Sequence, residues 1–260
     1  MDNVWKLQRV SYKTVKENEY RIAVLPIGSC EPHNLHLPYG SDTIHATYVA
    51  ERMCESAHQM GAKVILLPTI PYGVNSNMFE FPLAMNVYQS TLNQIATDIV
   101  ESLEKHGIYK LIILNGHGGN DFNAWQRSMI GKTRVFIVTM DWWTVGSDAR
   151  DRIFEEPGDH ADEMETSVNL VTAPELVHLE DADDGAVNPT RFEALNKGWA
   201  KIARPWHLLT RNSGVGNPFK ATREKGEKYL DIIIERGSKF IKELSDAEMD
   251  ETFPYIRSTI

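Results

Sequence analysis

Short apolar runs alternate along the chain with longer stretches whose apolar positions recur at helical spacing. RIAVLPI at 21–27 is closed by Gly28, and KVILL at 63–67 is stopped by Pro68. KLIIL at 110–114 leads into Asn115-Gly116, and RVFIVT at 134–139 is the fourth such run. These runs lack a strict polar alternation, the pattern of strands buried on both faces. Between them, residues 43–60 carry Ile44, Tyr48, Met53 and Ala57 on nearby faces and stop at Gly61. Residues 88–106 carry Leu92, Ile95, Ile99 and Leu103 at helical spacing and stop at Gly107. Both patterns predict helices with glycine stops. Further helices are predicted over 121–130, from Glu163 to about Val171 ahead of Pro174, and over 222–244, the last weakened by Gly226 and Gly237. Residues 71–82, rich in Gly, Asn and Pro, read as a long loop. Residues 195–218 show no clear period and read as a lid, an oligomer contact or plain loop.

Strand and helix in alternation predict an α/β fold: a single domain over residues 1–260 with a largely parallel sheet flanked by helices on both faces. In such sheets ligands gather at the carboxyl ends of the strands. The chemistry-bearing residues fall at those ends. Glu31-Pro32-His33 follows the first strand, and Asp42 comes shortly after, ahead of a helix. Asn115-Gly116-His117-Gly118-Gly119-Asn120 follows the third strand. In extended backbone Glu31 and His33 face one side, with Pro32 stiffening the span between them. Asp42 has two readings, a helix N-cap or a carboxylate that offers one oxygen to each of two ions. The glycine-rich turn around His117 matches neither the Walker pattern nor the dinucleotide fingerprint, and its central histidine suits a metal better than a phosphate. A third cluster is His160-Ala161-Asp162-Glu163-Met164-Glu165-Thr166. On a helix His160 and Glu163 share a face, whereas Glu163 and Glu165 diverge. Its other reading is an acidic helix start that complements the helix dipole. Trp142 and Trp143 could wall a pocket for a flat substrate or lie in the core. Cys30 reads as a small buried thiol, and His36, His45 and His58 as packing or surface residues.

Composition narrows the field. The chain has 260 residues, 42% hydrophobic and 24% charged, and so can bury one sizeable core. A net charge of -9 with no basic stripe argues against nucleic acid as a partner. Two cysteines are too few for a disulfide framework. MDNVWKLQRV lacks the apolar core of a signal peptide, and no apolar stretch approaches membrane-spanning length. A cytoplasmic protein with reduced thiols and no membrane partner is expected.

Taken together, GSCEPHNLHLPYGSDT, ILNGHGGN and HADEMETS resemble the creatininase (creatinine amidohydrolase) family, in the expected order and over most of the chain. That family also includes formamide hydrolases of deazaflavin-type cofactor biosynthesis and a peptide-processing branch. The resemblance implies a homo-oligomer, a hexamer among the options, that acts on a small-molecule amide. It also implies a centre of two divalent ions, zinc first, with manganese or iron as alternatives. By motif, Glu31 and His117 look like ligands of one ion, His33 of the other, and Asp42 the bridge. His160 matches a general acid or base, and Glu165 matches the glutamate before Thr in the third motif, a catalytic or ligand position. Gly118, Gly119, Trp142 and Glu163 are expected around the substrate. The sequence departs from the family pattern at Gly119, where creatininase itself has a glutamate. The second ion then needs another ligand, and Glu163 and Glu165 are the candidates. Pro32 and Asn34-Leu35 stand where the family usually has a glutamine and a glycine-proline, which reshapes the pocket without removing a ligand. The implied reaction is hydrolysis of an amide C–N bond by metal-activated water. A metal-dependent isomerase or lyase on a small polar substrate is the competing class, and a non-catalytic protein with a closed structural metal site is a third.

Overall fold

The structure, a computed structural model, describes residues 3–256. The expected domain extends beyond these to 1–2 and 257–260, which lie outside the described residues. Four strands form a parallel sheet: β1 (Ile22–Ile27), β2 (Val64–Leu66), β3 (Lys110–Asn115) and β4 (Phe136–Asp141), in the order β2-β1-β3-β4. A small antiparallel pair, β5 (Gly158–His160) and β6 (Val215–Gly216), lies apart from it in sequence and pairing. The helices are α1 (Tyr12–Glu17), α2 (Ser41–Gln59), α3 (Gln89–Lys105), α4 (Asn123–Met129), α5 (Ser147–Ile153), α6 (Glu163–Thr172), α7 (Glu193–Asn196), α8 (Trp206–Leu209) and α9 (Arg223–Asp246).

Side chains alternate across the strands, and each face of the sheet has its own core. Ile22, Val24, Val64, Leu66, Ile112 and Leu114 pack with Val49 and Met53 of α2 and Tyr229, Ile233 and Ile241 of α9. Ala23, Leu25, Ile27, Leu111 and Ile113 pack with Leu92, Ala96 and Val100 of α3 and with Trp125 of α4. Burying each of the larger side chains contributes about 1.5–3 kcal/mol, so the unbroken apolar runs are accounted for by two covered faces. The expected α/β fold with helices on both faces is the observed one.

Helix ends follow local chemistry. Gly61 (φ 87°) and Gly107 (φ 76°) take the left-handed conformation just beyond α2 and α3, where a Cβ would be strained. Gly237, which lowers helix propensity inside α9, lies against Met53, whose methyl would be 2.3 Å from an added Cβ. The missing side chain leaves room for Met53 where α9 packs on α2. Residues 142–218 hold more structure than their pattern predicted: α5, β5, α7, α8 and β6 are all short, and periodicity needs length to show. Among the described residues no helix is long and apolar enough to cross a membrane.

Candidate metal centre and its cavity

β1 and β3 are neighbours in register, with Ile27 opposite Asn115, so the segments that follow them leave the sheet side by side. The first turn of α2 closes over both. Gly116 makes this approach feasible, since a Cβ there would be 2.7 Å from Asp42 O and 2.8 Å from Ala46 Cβ. Three distant parts of the chain thus meet. His117 Nδ1 is 3.0 Å from Glu31 Oε1 and 3.0 Å from Asp42 Oδ2. His33 Nε2 is 3.2 Å from Asp42 Oδ1 and 4.0 Å from Glu165 Oε2. His160 Nδ1 is 3.8 Å from Glu31 Oε1 and 4.0 Å from Glu165 Oε2. Asp42 is therefore no N-cap by its side chain: Gly40 is the cap residue, and the Asp42 carboxylate turns inward to two different imidazoles.

Each imidazole is oriented by a backbone carbonyl. His33 Nδ1 donates to Glu31 O at 3.0 Å, His117 Nε2 to Val74 O at 3.1 Å, and His160 Nε2 to Pro32 O at 2.9 Å. A carbonyl can only accept, so these nitrogens carry the hydrogens. Nε2 of His33 and Nδ1 of His117 and His160 are left facing the carboxylates, as metal-ligating histidines usually are. Gly119 protects one of these bonds: a Cβ there would sit 2.3 Å from His117 Nε2 and 2.4 Å from Val74 O. Glu165 Oε2 accepts from Ala161 N at 2.5 Å, with Ala161 held at a left-handed φ of 49° between His160 and the α6 cap Asp162. A non-glycine residue in that region is strained, and such strain concentrates at working sites.

The cluster carries an excess of negative charge in a buried place. Burial disfavours a charged His33, but the charge and hydrogen bond of Asp42, with Glu165 and Glu31 behind, outweigh it and lift its pKa to about 10. Burial is likewise overcome at His117, where Glu31 and Asp42 hold the pKa well above the ordinary value. Asp42 is desolvated too, yet His33 and His117 keep its carboxyl well below the usual range. Glu31 Oε2 is buried without a hydrogen-bond partner among the described residues. Donor atoms of Glu31, Asp42 and His117, of His33, Asp42 and Glu165, and of Glu31, His33 and His160 form three groups, each within 4.8 Å. Carboxylate and imidazole donors with an orphaned carboxylate oxygen fit zinc, manganese or iron.

A cavity opens on this cluster, lined by Glu31, Asp42, His117, Gly118, Gly119, His160 and Glu165 and walled by Trp143, Arg150, Arg204 and Trp206. Two expectations are corrected here. Trp142 does not line the cavity; it is 1% exposed, packed edge-on against His45 at 5.3 Å, while its neighbour Trp143 reaches the wall. Glu163 is turned away: its Oε2 accepts from the amides of Glu155 (2.8 Å) and Glu156 (2.7 Å), and its Oε1 pairs with Lys225. Opposite directions along α6 separate it from Glu165, which faces His33. Arg150, Asp159, Arg204 and Trp206 were not singled out from sequence as site residues. They lie on short irregular segments with no motif around them, Arg204 and Trp206 within the stretch 195–218 that shows no clear period.

The creatininase (creatinine amidohydrolase) family pattern matches residues 8–241. The chain belongs to the creatininase family. A solved Bacteroides fragilis structure with a provisional creatinine amidohydrolase description is 36% identical, with a TM-score of 0.86 over 96% of this chain and 100% of that one. The creatinine amidohydrolase of Pseudomonas putida is 26% identical over 88% of this chain and 94% of its own length. Among the family's other activities, a 3-dehydro-scyllo-inosose hydrolase of Thermotoga maritima is 26% identical over 92% of this chain and 83% of its own. Mycofactocin precursor peptide peptidases of mycobacteria also match. Solved creatininases that share the fold at 21% identity include a manganese form and a zinc–zinc form. This chain is thus a creatininase-family hydrolase with candidate metal-ligand clusters at its strand ends.

Proposed function

We propose that this chain hydrolyses the C–N bond of a small amide, a cyclic amide first, at a centre of two divalent cations. The observation that carries this reading is the double use of Asp42, whose Oδ1 lies 3.2 Å from His33 Nε2 and whose Oδ2 lies 3.0 Å from His117 Nδ1. Glu31, Asp42 and His117 would hold one ion; His33, Asp42 and Glu165 would hold the other. Glu165 takes the part that Gly119 cannot. When bound, such a pair of ions supplies a water acidic enough to deprotonate near neutral pH and positive charge for a developing oxyanion.

The chain's own groups account for the rest. His160 keeps its hydrogen on Nε2 through Pro32 O, which leaves Nδ1 free to accept a proton beside Glu31 and Glu165 and to pass it to the departing nitrogen. Gly118 and Gly119 bring backbone rather than side chain to the cavity, and Trp143 and Trp206 add apolar lining beside a flat amide. The products are a carboxylate and an amine, joined in one molecule when the amide is cyclic.

The test is metal analysis followed by chelation and refilling. Two equivalents of zinc or manganese per chain, activity lost on chelation and regained with metal, and oxygen-18 from water in the product carboxylate are expected. A screen of cyclic amides, formamides and short peptides assigns the substrate. Full turnover by rigorously metal-free protein, or an isomer or elimination product without solvent oxygen, would refute the proposal.

A further inference from the structure

The cavity has two kinds of lining. Glu31, Asp42, Glu165 and the imidazoles form the proposed metal floor. The remaining wall carries two guanidinium groups, Arg150 and Arg204, beside Trp143 and Trp206. Neither arginine touches a proposed metal ligand; Arg150 reaches Glu165 only through Asp162, whose Oδ1 accepts from the Glu165 amide at 2.9 Å.

Arg150 is anchored through a single nitrogen. Its Nη2 donates to Gly158 O at 2.9 Å and to Asp162 Oδ2 at 2.7 Å. Asp162 is 1% exposed, whereas the Arg150 side chain is 30% exposed. Nε and Nη1 therefore have no partner among the described residues, and they belong to a side chain that lines the cavity. Arg204 is held differently. It pairs with Asp159, and its guanidinium stacks 4.9 Å from the centre of the Trp206 ring. Trp206 meets the His160 ring edge-on at 4.9 Å. One aromatic ring thus separates the second guanidinium from the proposed proton carrier.

We propose that Arg150 and Arg204 select substrates that carry a carboxylate a short distance from the amide to be cleaved. This rests on the amide-hydrolase reading. Each arginine is steadied by one aspartate, so the wall by itself is close to neutral. Three floor carboxylates against two divalent cations leave a positive surplus, and an anionic substrate balances it. A guanidinium offers planar paired donors that match a carboxylate, and leaving them without an acceptor beneath a bound neutral ligand costs free energy. The flanking indoles accept the rest of a flat molecule.

Binding of matched hydroxamates to the zinc-loaded protein separates the two claims. Butanohydroxamate and succinohydroxamate share a metal-binding head and chain length, and only the second ends in a carboxylate. Titration calorimetry should find succinohydroxamate, or its homologue one carbon longer, about tenfold or more tighter than its neutral match, the size of a charge-assisted contact. Arg150→Met and Arg204→Met should each narrow that ratio, and the double variant should bring it to about one. A ratio near one in the unaltered protein overturns the proposal. So does a double variant that keeps the preference, or one that weakens both ligands alike, since that marks a purely structural role. If neither hydroxamate binds protein shown to contain zinc, the two-cation reading itself fails, and the selectivity falls with it.

Discussion

The floor of the cavity and its wall are built by different means. Most floor residues leave the ends of two central strands and the first turn of α2, joined by His160 at the end of β5 and the half-buried Glu165 of α6; the others are buried, and each imidazole is tied to a backbone carbonyl. Wall residues come from short elements and loop between 142 and 209, range from the buried Trp206 to the exposed Arg204, and are held by ion pairs and ring contacts. A ligand set must hold its geometry within fractions of an ångström, and a rigid sheet edge provides that. A substrate wall can vary without disturbing the ligands, and the relatives of this chain include a creatinine amidohydrolase, an inosose hydrolase and peptide peptidases.

Breaking the floor should have the largest effects. Asp42→Ala removes both inward oxygens, and turnover is expected to fall by at least about 10³-fold. Metal content should drop below two per chain by elemental analysis; retention of both ions would exclude the bridge. His160→Asn keeps the ligand set and removes the proton carrier, so kcat should fall by roughly 10²–10⁴-fold with metal content intact. A kcat within a fewfold of the parent would reassign the proton transfer. Gly119→Ala presses on the His117 to Val74 contact without touching a ligand atom, and zinc affinity should weaken by about 10–100-fold in competition with a chelator.

Proton effects sharpen the same contrast. His33 stands at about 10 in a crowded carboxylate cluster and must lose a proton to bind a cation. Zinc binding near pH 7 should therefore release about one proton or more per chain, read from calorimetry in buffers of different ionisation heat, and affinity should rise with pH. Release of none would contradict the electrostatics described above. The smallest effect lies behind the floor. Burial, then the His33 charge, lowers His36 to about 4, below its ordinary 6.5. The unfolded chain binds that proton more readily, so stability is lost as pH falls from about 6.5 toward 4, by about 1.4 kcal/mol per unit at most. Thermal unfolding of metal-free His36→Gln should show a shallower loss over that window; an unchanged slope would assign the acid sensitivity elsewhere.

The amino-acid sequence by itself determined the four strands of the parallel sheet, the long helices and the glycine stops of α2 and α3, because burial on two faces writes apolar runs of distinct period into the chain. It also determined the family and brought Glu31, His33, Asp42 and His117 forward as candidates, since motifs at strand ends are contiguous and can be read without coordinates. Tertiary structure alone decided between Glu163 and Glu165. Both begin the same helix, and only the packing of α6 shows one bound to Lys225 and the other facing His33. Tertiary structure likewise exchanged Trp142 for Trp143 and brought Arg150, Arg204 and Trp206 to the wall. These residues are scattered over short elements with no local pattern. What unites them is the route of the chain through space, and side-chain spacing along a sequence carries no record of that.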